Sequence, residues 1–114
     1  MNKQPFEATI RYQSDQVIID LHGEIDAFAE TGLTEAYAEA ESHDPETIAL
    51  NFEDVVYINS TGIALIVSLL AQCRKSKRPL VVFGLSDHYL EIFKITRLAD
   101  FMTIYEDEAS ALVG

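Results

Sequence analysis

Apolar and polar residues alternate at the start of the chain, as they do in strands that bury one face. Every second residue of 6–12 is apolar, and Val17, Ile19 and Leu21 continue the same period in 16–23. The segment between these runs, "QSDQ", consists of polar and turn-forming residues. The pattern predicts two strands joined as a β-hairpin.

A helical period follows the hairpin. Apolar residues of the segment 24–42 recur at intervals that place them on one helix face: Leu33, Ala36, Tyr37 and Ala40. Asp26 is the expected N-cap, because its carboxylate can accept hydrogen bonds from the free N–H groups of a first turn. Pro45 disfavours helical geometry at Asp44 and ends the segment.

Short apolar runs and amphipathic segments alternate through the rest of the chain. The runs predict strands at 47–52, 78–84 and 101–105, and the amphipathic segments predict helices at 61–75, 85–98 and 106–114. The order ββαβαβαβα indicates an α/β protein, with a small mixed and mostly parallel sheet of about five strands and four covering helices. The length of 114 residues suits one domain, 1–114.

Two loops of this predicted sheet lie where α/β proteins place their functional residues. "HGEIDA" follows the second strand, and "VYINSTG" follows the third. The carboxyl ends of parallel strands meet at one edge of a sheet, so the two loops should be adjacent. Asp26 and Ser60 are therefore expected to be near neighbours.

The second of these loops contains Asn59, Ser60, Thr61 and Gly62 between two apolar runs. Asn59 or Ser60 can cap the following helix, and Gly62 allows another group to approach its first turn closely. A helix N-terminus also tolerates negative charge, including a phosphate on Ser60. The residues alone do not decide whether Ser60 is a structural helix cap or a functional serine.

The helix after this loop has one wide apolar face and one narrow face of small or polar residues. The apolar arc contains Ile63, Leu65, Ile66, Val67, Leu69, Leu70 and Cys73, and the narrow face contains Ala64, Ser68, Ala71, Gln72 and Lys75. The wide face is expected to pack on the sheet, which leaves the narrow face for solvent or a partner.

Charge and composition narrow the classes of partner. The formal net charge is -11, which disfavours binding to nucleic acid or an anionic membrane and fits a basic protein surface. Half of the basic residues are in "RKSKRP", at an expected helix end, where cations are favourable. With the single cysteine Cys73, we expect neither a disulfide framework nor a thiolate metal site.

The location of the protein is expected to be cytoplasmic, without membrane insertion. A lone cysteine fits a reducing compartment, and the first residues lack the apolar core of a signal peptide. The longest apolar run, 63–71, is interrupted by Ser68 and is too short to span a bilayer.

Three segments, in this order along the chain, resemble the STAS domain family. "LHGEIDAFAETGL" resembles the family's "GELD" loop and first helix. "INSTGIALIVSLL", preceded by "IALNFEDVVY", is most similar to bacterial anti-sigma factor antagonists, in which a "D-S-[ST]-G-[LI]" stretch opens the second helix. Residues 80–112 resemble the C-terminal half of the family. The resemblance extends from Phe6 to Leu112 and implies the STAS fold, a small curved sheet with helices.

The resemblance implies a protein-binding switch and not an enzyme. In the family, a serine kinase that is also the anti-sigma factor phosphorylates the signature serine. The unmodified protein binds that kinase and frees the sigma factor, and a metal-dependent serine phosphatase reverses the mark. By position, the phosphate acceptor is Ser60, and the partner-binding residues are Asp26, Asn59, Ser60, Thr61, Gly62 and Ala64. The free protein is expected to be a monomer.

One residue departs from the family pattern. Asn59 occupies the position where the family usually has aspartate. Asparagine can still cap a helix, and its neutral side chain should ease the accumulation of phosphate charge beside it. The departure also leaves open a different kinase, or a STAS domain that is not phosphorylated and acts as a scaffold in a signalling or lipid-transport complex.

An enzymatic serine and a nucleotide site have less support in the residues. Ser60 as a nucleophile would need a base, and His22, at the expected edge, is the nearest candidate. "NSTG" is not the G-x-S-x-G nucleophile elbow, and the sequence has neither a glycine-rich phosphate loop nor a histidine spacing typical of metal sites. We expect no cofactor and no metal.

Overall fold

The computed structural model describes residues 4–113. The strands are β1 Glu7–Gln13, β2 Gln16–Ile25, β3 Thr47–Ile58, β4 Leu80–Phe83 and β5 Thr103–Tyr105, and the helices are α1 Glu30–Ser42, α2 Ser60–Lys75, α3 Asp87–Ile95 and α4 Glu108–Val113. Short 3-10 turns, Ala27–Ala29 and Leu98–Phe101, precede α1 and β5. Within the described residues, this order confirms the predicted alternation ββαβαβαβα.

The strands form one sheet in the order β1-β2-β3-β4-β5. β1 and β2 are antiparallel, with Gln13 opposite Gln16, so the chain reverses in the turn predicted from "QSDQ". Each later strand is parallel to its neighbour. The sheet is therefore mixed and mostly parallel, as expected.

The crossover connections decide which face of the sheet each helix covers. The connections through α1, α2 and α3 each advance by one strand in the same direction, and such crossovers are right-handed, so these helices cover one face. The main core lies beneath them and includes Leu50 and Phe93. α4 packs on the opposite face, where Ala111 joins a smaller cluster with Ile18 and Phe83.

Two elements near the candidate site differ from their predicted bounds. The prediction ends the third strand at Phe52, whereas β3 continues to Ile58 and pairs with β2 along this extension. The prediction starts the first helix after Asp26, whereas α1 begins at Glu30 and Asp26 caps a 3-10 turn. β2 and β3 are both longer than predicted because their ends pair with each other. The two segments are distant in sequence, so the periodicity of each segment alone does not indicate this pairing.

The C-terminal boundaries differ by a few residues. α3 ends at Ile95, before the predicted end at residue 98, because Arg97 has a φ of 68° and leaves the helical region. Residues 98–101 form a 3-10 turn, which shortens the predicted strand 101–105. Gly114, the end of the predicted last helix, lies outside the described residues, as do residues 1–3 of the predicted domain.

The basic cluster at the end of α2 has a structural role as well as the expected position at a helix end. Arg74 is in the last turn of α2, and its guanidinium lies 5.2 Å from the centre of the Phe101 ring. Arg78 forms ion pairs with Glu41 and Asp44 at 3.3 Å and 2.9 Å. Arg78 therefore ties the segment before β4 to the end of α1.

An arginine in β1 joins the hairpin to α4 on the second face of the sheet. Arg11 pairs with Asp20 at 2.6 Å and with Glu108 at 2.7 Å. The hydrogen bonds from Arg11 lower the pKa of Glu108. Partial burial raises the pKa of Asp20, but hydrogen bonds from Arg11 and Asn51 outweigh it, so this pKa is lowered as well.

We predict that Arg11→Gln destabilises the fold at neutral pH and has little effect in acid. The lowered pKa values of Asp20 and Glu108 mean that their pairing stabilises the fold above about pH 4.5, the ordinary range of these groups. That stabilisation is lost as the pH falls through the lowered pKa values of Asp20 and Glu108. Because the side chains are partly exposed, the expected loss at neutral pH is about 1 kcal/mol.

Urea unfolding between neutral and strongly acidic pH measures this difference. Arg97→Gln is the matched control, since it removes an ion pair with Asp100 on a side chain that is 78% exposed, and it should cost less than about 0.5 kcal/mol. A loss for Arg11→Gln that is the same at acidic and neutral pH would contradict the prediction.

Candidate functional site

β2 and β3 end side by side. Their pairing continues to Ile25↔Ile58, the last residue of each strand. Asn59 N–H then donates a hydrogen bond to Ile25 C=O at 3.2 Å. The loops that follow the two strands therefore lie at the same edge and in contact, which confirms the topology expected for the loops of Asp26 and Ser60.

Asn59 caps α2 through its side chain. Its Oδ1 accepts a hydrogen bond from Gly62 N–H at 2.8 Å, and its backbone C=O accepts one from Ile63 N–H at 2.9 Å. The backbone at Asn59 is extended, with φ -95° and ψ -176°, as is typical of an N-cap. Of the two caps that the sequence allows, Asn59 is the one observed, and Ser60 is not used for capping.

Ser60 is the first residue of α2, and both Ser60 and Thr61 are exposed. Within residues 4–113, the Ser60 hydroxyl makes no side-chain hydrogen bond. The start of a helix carries free backbone N–H groups and a partial positive charge. A negatively charged group on Ser60 Oγ would therefore lie next to a favourable electrostatic environment.

Gly62 is buried where the first turn of α2 meets the end of β2. A Cβ atom at this position would overlap Ile25 O and lie 2.9 Å from Ile58 Cγ2. Any side chain would push α2 away from the ends of the two strands. Glycine is therefore required here for the close approach that the sequence suggests.

Asp26 lies beneath the surface of the edge. The residue is 8% exposed, its Oδ1 accepts a hydrogen bond from Phe28 N–H at 3.0 Å, and its C=O accepts one from Ala29 N–H at 2.9 Å. These bonds form the 3-10 turn between β2 and α1. The structure brings Asp26 to the predicted edge, where the residue shapes the loop and exposes little surface of its own.

The exposed face of α2 continues away from the loop. Ala64, one turn after Ser60, is exposed as the narrow face predicts. The buried residues of the helix are Gly62, Ile66, Leu69, Leu70 and Cys73. Val67 differs from the predicted arc, because it lies at the flank of the buried face and is 43% exposed.

Two residues at this edge are absent from the sequence-based set. Phe28, in the turn after Asp26, is 85% exposed. Tyr89, in α3, accepts a hydrogen bond from Ile58 N–H at 2.8 Å. A large apolar residue within a polar loop is a signal that could have identified Phe28, whereas no local pattern connects Tyr89 with the end of β3.

The edge is acidic. The chain has no lysine or arginine between Arg11 and Arg74, and both loops fall within this interval. Glu24 lies within the first loop, two residues before Asp26, and Glu30 follows this loop at the start of α1. A partner that covers this edge should therefore present a neutral or basic surface.

Among the described residues, no basic side chain or carboxylate is hydrogen-bonded to the Ser60 hydroxyl. His22 Nδ1 lies 3.2 Å from Asp54 Oδ2. His22 also precedes the end of β2 by roughly 10 Å along the strand, at about 3.3 Å per residue. In the described part of the chain, no His, Cys, Asp and Glu residues are grouped in a way that could hold a metal ion.

Across residues 4–113, no helix combines the length and the apolar character that a membrane span requires.

Comparisons with known proteins identify the family. The STAS domain model matches residues 7–111. The chain is 32% identical over 91 residues to an anti-sigma-B factor antagonist of Listeria monocytogenes, with 80% of each protein covered. The chain belongs to the STAS domain family, which confirms the resemblance of its three segments.

Solved structures agree with this fold. An anti-sigma factor antagonist from Mycobacterium paratuberculosis is similar with a TM-score of 0.84 at 16% identity, over 98% of this chain and 97% of that one. The Bacillus cell fate determinant SpoIIAA, in its phosphorylated form, is similar with a TM-score of 0.68 at 21% identity, over 92% and 95%. At these identities, the similarity concerns the fold.

We predict that Gly62→Ala destabilises the protein by about 2 kcal/mol, because the methyl group overlaps the end of β2. The loss should appear even though alanine favours a helix by about 1 kcal/mol over glycine. Gly32→Ala in α1 is the matched control, since a Cβ there lies 3.3 Å from the Phe6 ring, which can move. Chemical unfolding of both variants measures the effect, and equal stabilities would show that α2 does not need this contact.

Proposed function

We propose that the protein is an anti-sigma factor antagonist whose binding is switched by phosphorylation of Ser60. The partner is a serine kinase that also serves as the anti-sigma factor, sequestered in the cytoplasm by the unmodified protein. A serine phosphatase restores the unmodified form. The observation that carries this proposal is the division of roles at the start of α2, where Asn59 caps the helix and Ser60 remains exposed.

Phosphorylation requires an accessible hydroxyl and a place for the new charge. Ser60 Oγ forms a bond to the γ-phosphorus of ATP, the bond from that phosphorus to the bridging oxygen breaks, and ADP leaves. The hydroxyl proton passes to a base of the kinase. The product carries about -1.5 to -2 charges at pH 7, which the N-terminus of α2 favours, so the fold should survive.

The switch acts through charge and size at the interface. The kinase must hold the phosphates of its nucleotide opposite Ser60, so a phosphoserine places two anionic groups against each other. Mispaired charge at an interface costs several kcal/mol. A cost of about 2.7 kcal/mol already weakens binding 100-fold.

The partner-binding residues divide into those that touch the partner and those that support them. Ser60, Thr61 and Ala64 are exposed and form the contact surface. Asp26 and Gly62 are buried, and they hold the two loops in the shape that presents this surface. Asn59 keeps the helix capped whether or not Ser60 is modified. The free protein is proposed to be a monomer.

Ser60→Asp is expected to bind the partner at least about 100-fold more weakly than Ser60→Ala. Isothermal titration calorimetry with the purified serine kinase/anti-sigma factors of the same organism measures this ratio. Ser110→Asp is the control, because it adds the same charge on α4, on the opposite face of the sheet, and should bind like the wild type. Equal affinities of the two Ser60 variants would reject the switch, and loss of the fold in Ser60→Asp would reject a local effect.

A scaffold STAS domain that is never phosphorylated is the second candidate, and Asn59 in place of the family's usual aspartate is the observation that leaves it open. Incubation of the wild type and Ser60→Ala with each purified kinase and ATP, followed by mass spectrometry, distinguishes the two functions. The switch requires the mass of one phosphate on the wild type and none on Ser60→Ala. An unmodified wild type with every kinase would support the scaffold.

A further inference from the structure

β3 extends beyond the end of β4, and its last residues need other partners on that side. The pairing of β3 with β4 ends at Asn51↔Phe83, whereas β3 continues to Ile58. Within the described residues, β2 is the strand that pairs with this extension. Backbone groups of the extension that face away from β2 must therefore bond to side chains or to water.

Ile58 directs its backbone groups to this open side. Asn59 N–H donates to Ile25 C=O of β2, so the N–H and C=O of Ile58, one residue earlier, face the other way. The hydroxyl oxygen of Tyr89 accepts a hydrogen bond from Ile58 N–H at 2.8 Å. The same hydroxyl donates to Ile58 C=O at 3.5 Å. The Tyr89 hydroxyl thus satisfies both backbone groups of Ile58, which in the middle of a sheet would pair with a neighbouring strand.

α3 holds Tyr89 in this position. Ser86 Oγ caps the helix by accepting a hydrogen bond from Tyr89 N–H at 3.3 Å. One turn further along, Phe93 is fully buried and meets Phe52 of β3 edge to face, with ring centres 6.1 Å apart. Tyr89 and Phe93 lie on the same side of α3, so the helix contacts the part of β3 beyond its pairing with β4 at two points.

We propose that Tyr89 is a positioning residue for Ser60, an inference that rests on the proposed phosphorylation of this serine. Its hydroxyl fixes the last residue of β3 on the side that β2 does not reach. This contact sets the direction in which Asn59 and Ser60 leave the strand. Without the hydroxyl, the Ile58 backbone loses its partner on that side, and Ser60 Oγ is presented to the kinase in a wider range of positions.

Tyr89→Phe tests this role, because it removes the hydroxyl and keeps the ring. Tyr37→Phe is the matched control. The Tyr37 hydroxyl contacts Cys73 Sγ at 3.1 Å and Glu41 at 3.3 Å, between α1 and the last turns of α2, away from the edge. Each variant loses one partly or fully buried phenol oxygen, so thermal unfolding should show both to be folded and somewhat less stable.

The first measurement is steady-state phosphorylation of Ser60 by a serine kinase that modifies the wild type, with radiolabelled ATP. We expect Tyr89→Phe to lower kcat about tenfold while KM for the protein changes less than about twofold, because the misplaced hydroxyl affects the transfer step more than docking. Tyr37→Phe should keep the wild-type kcat. A wild-type kcat for Tyr89→Phe, or an equal loss in both variants, would overturn the proposal.

The second measurement is amide hydrogen exchange, which separates the role of Tyr89 from the proposed function. The Ile58 amide should exchange at least about tenfold faster in Tyr89→Phe, while the amide of Leu50, in the centre of the sheet, keeps its rate. An unchanged rate at Ile58 would overturn the positioning role. A third outcome is that Ile58 exchanges faster in Tyr89→Phe but no kinase modifies the wild type. This outcome would overturn the proposed function, and the role of Tyr89 in phosphorylation would be overturned with it.

Discussion

The parallel pairing of β2 and β3 is the interaction on which the other features depend. The two strands are paired from Gln16↔Thr47 to Ile25↔Ile58, and each is followed by a turn and a helix. Because parallel strands present their carboxyl ends at a common edge, this ladder brings the loop of Asp26 against the loop of Ser60. The register of the ladder shifts by one residue between Asp20 and His22 and again between Gly23 and Glu24, and with these two irregularities both strands end at the same level.

The residues at the start of α2 have separate roles. Asn59 satisfies the free backbone groups of the first turn, and Gly62 lets that turn rest against Ile25. Ser60, between them, makes no side-chain hydrogen bond within the described residues. A serine that capped the helix itself would lose its capping bond when modified, whereas here Asn59 makes that bond. A group added to Ser60 Oγ would therefore not replace the cap of α2.

The element order and the presence of a cap at the start of α2 could be predicted from sequence, because both depend on local chemistry, namely periodicity and residue types. The sequence left two candidates for the cap, Asn59 and Ser60, and the structure selects Asn59. Features that depend on contacts between distant segments could not. The later start of α1 follows from the pairing of the end of β2 with β3. The bond between Tyr89 and Ile58 joins residues 31 positions apart, and that between Arg11 and Glu108 joins residues 97 apart, so no local pattern reports either one.

The proposed switch requires that the chemical state of Ser60 acts locally, at the edge built by β2 and β3. Amide chemical shifts of the unmodified protein and of the protein with phosphoserine incorporated at position 60 test this claim most directly. We expect changes confined to residues 24–29 and 57–64, with the amides of β1, β4 and α4 unchanged. Changes spread through those three elements, or a loss of shift dispersion, would contradict a local switch.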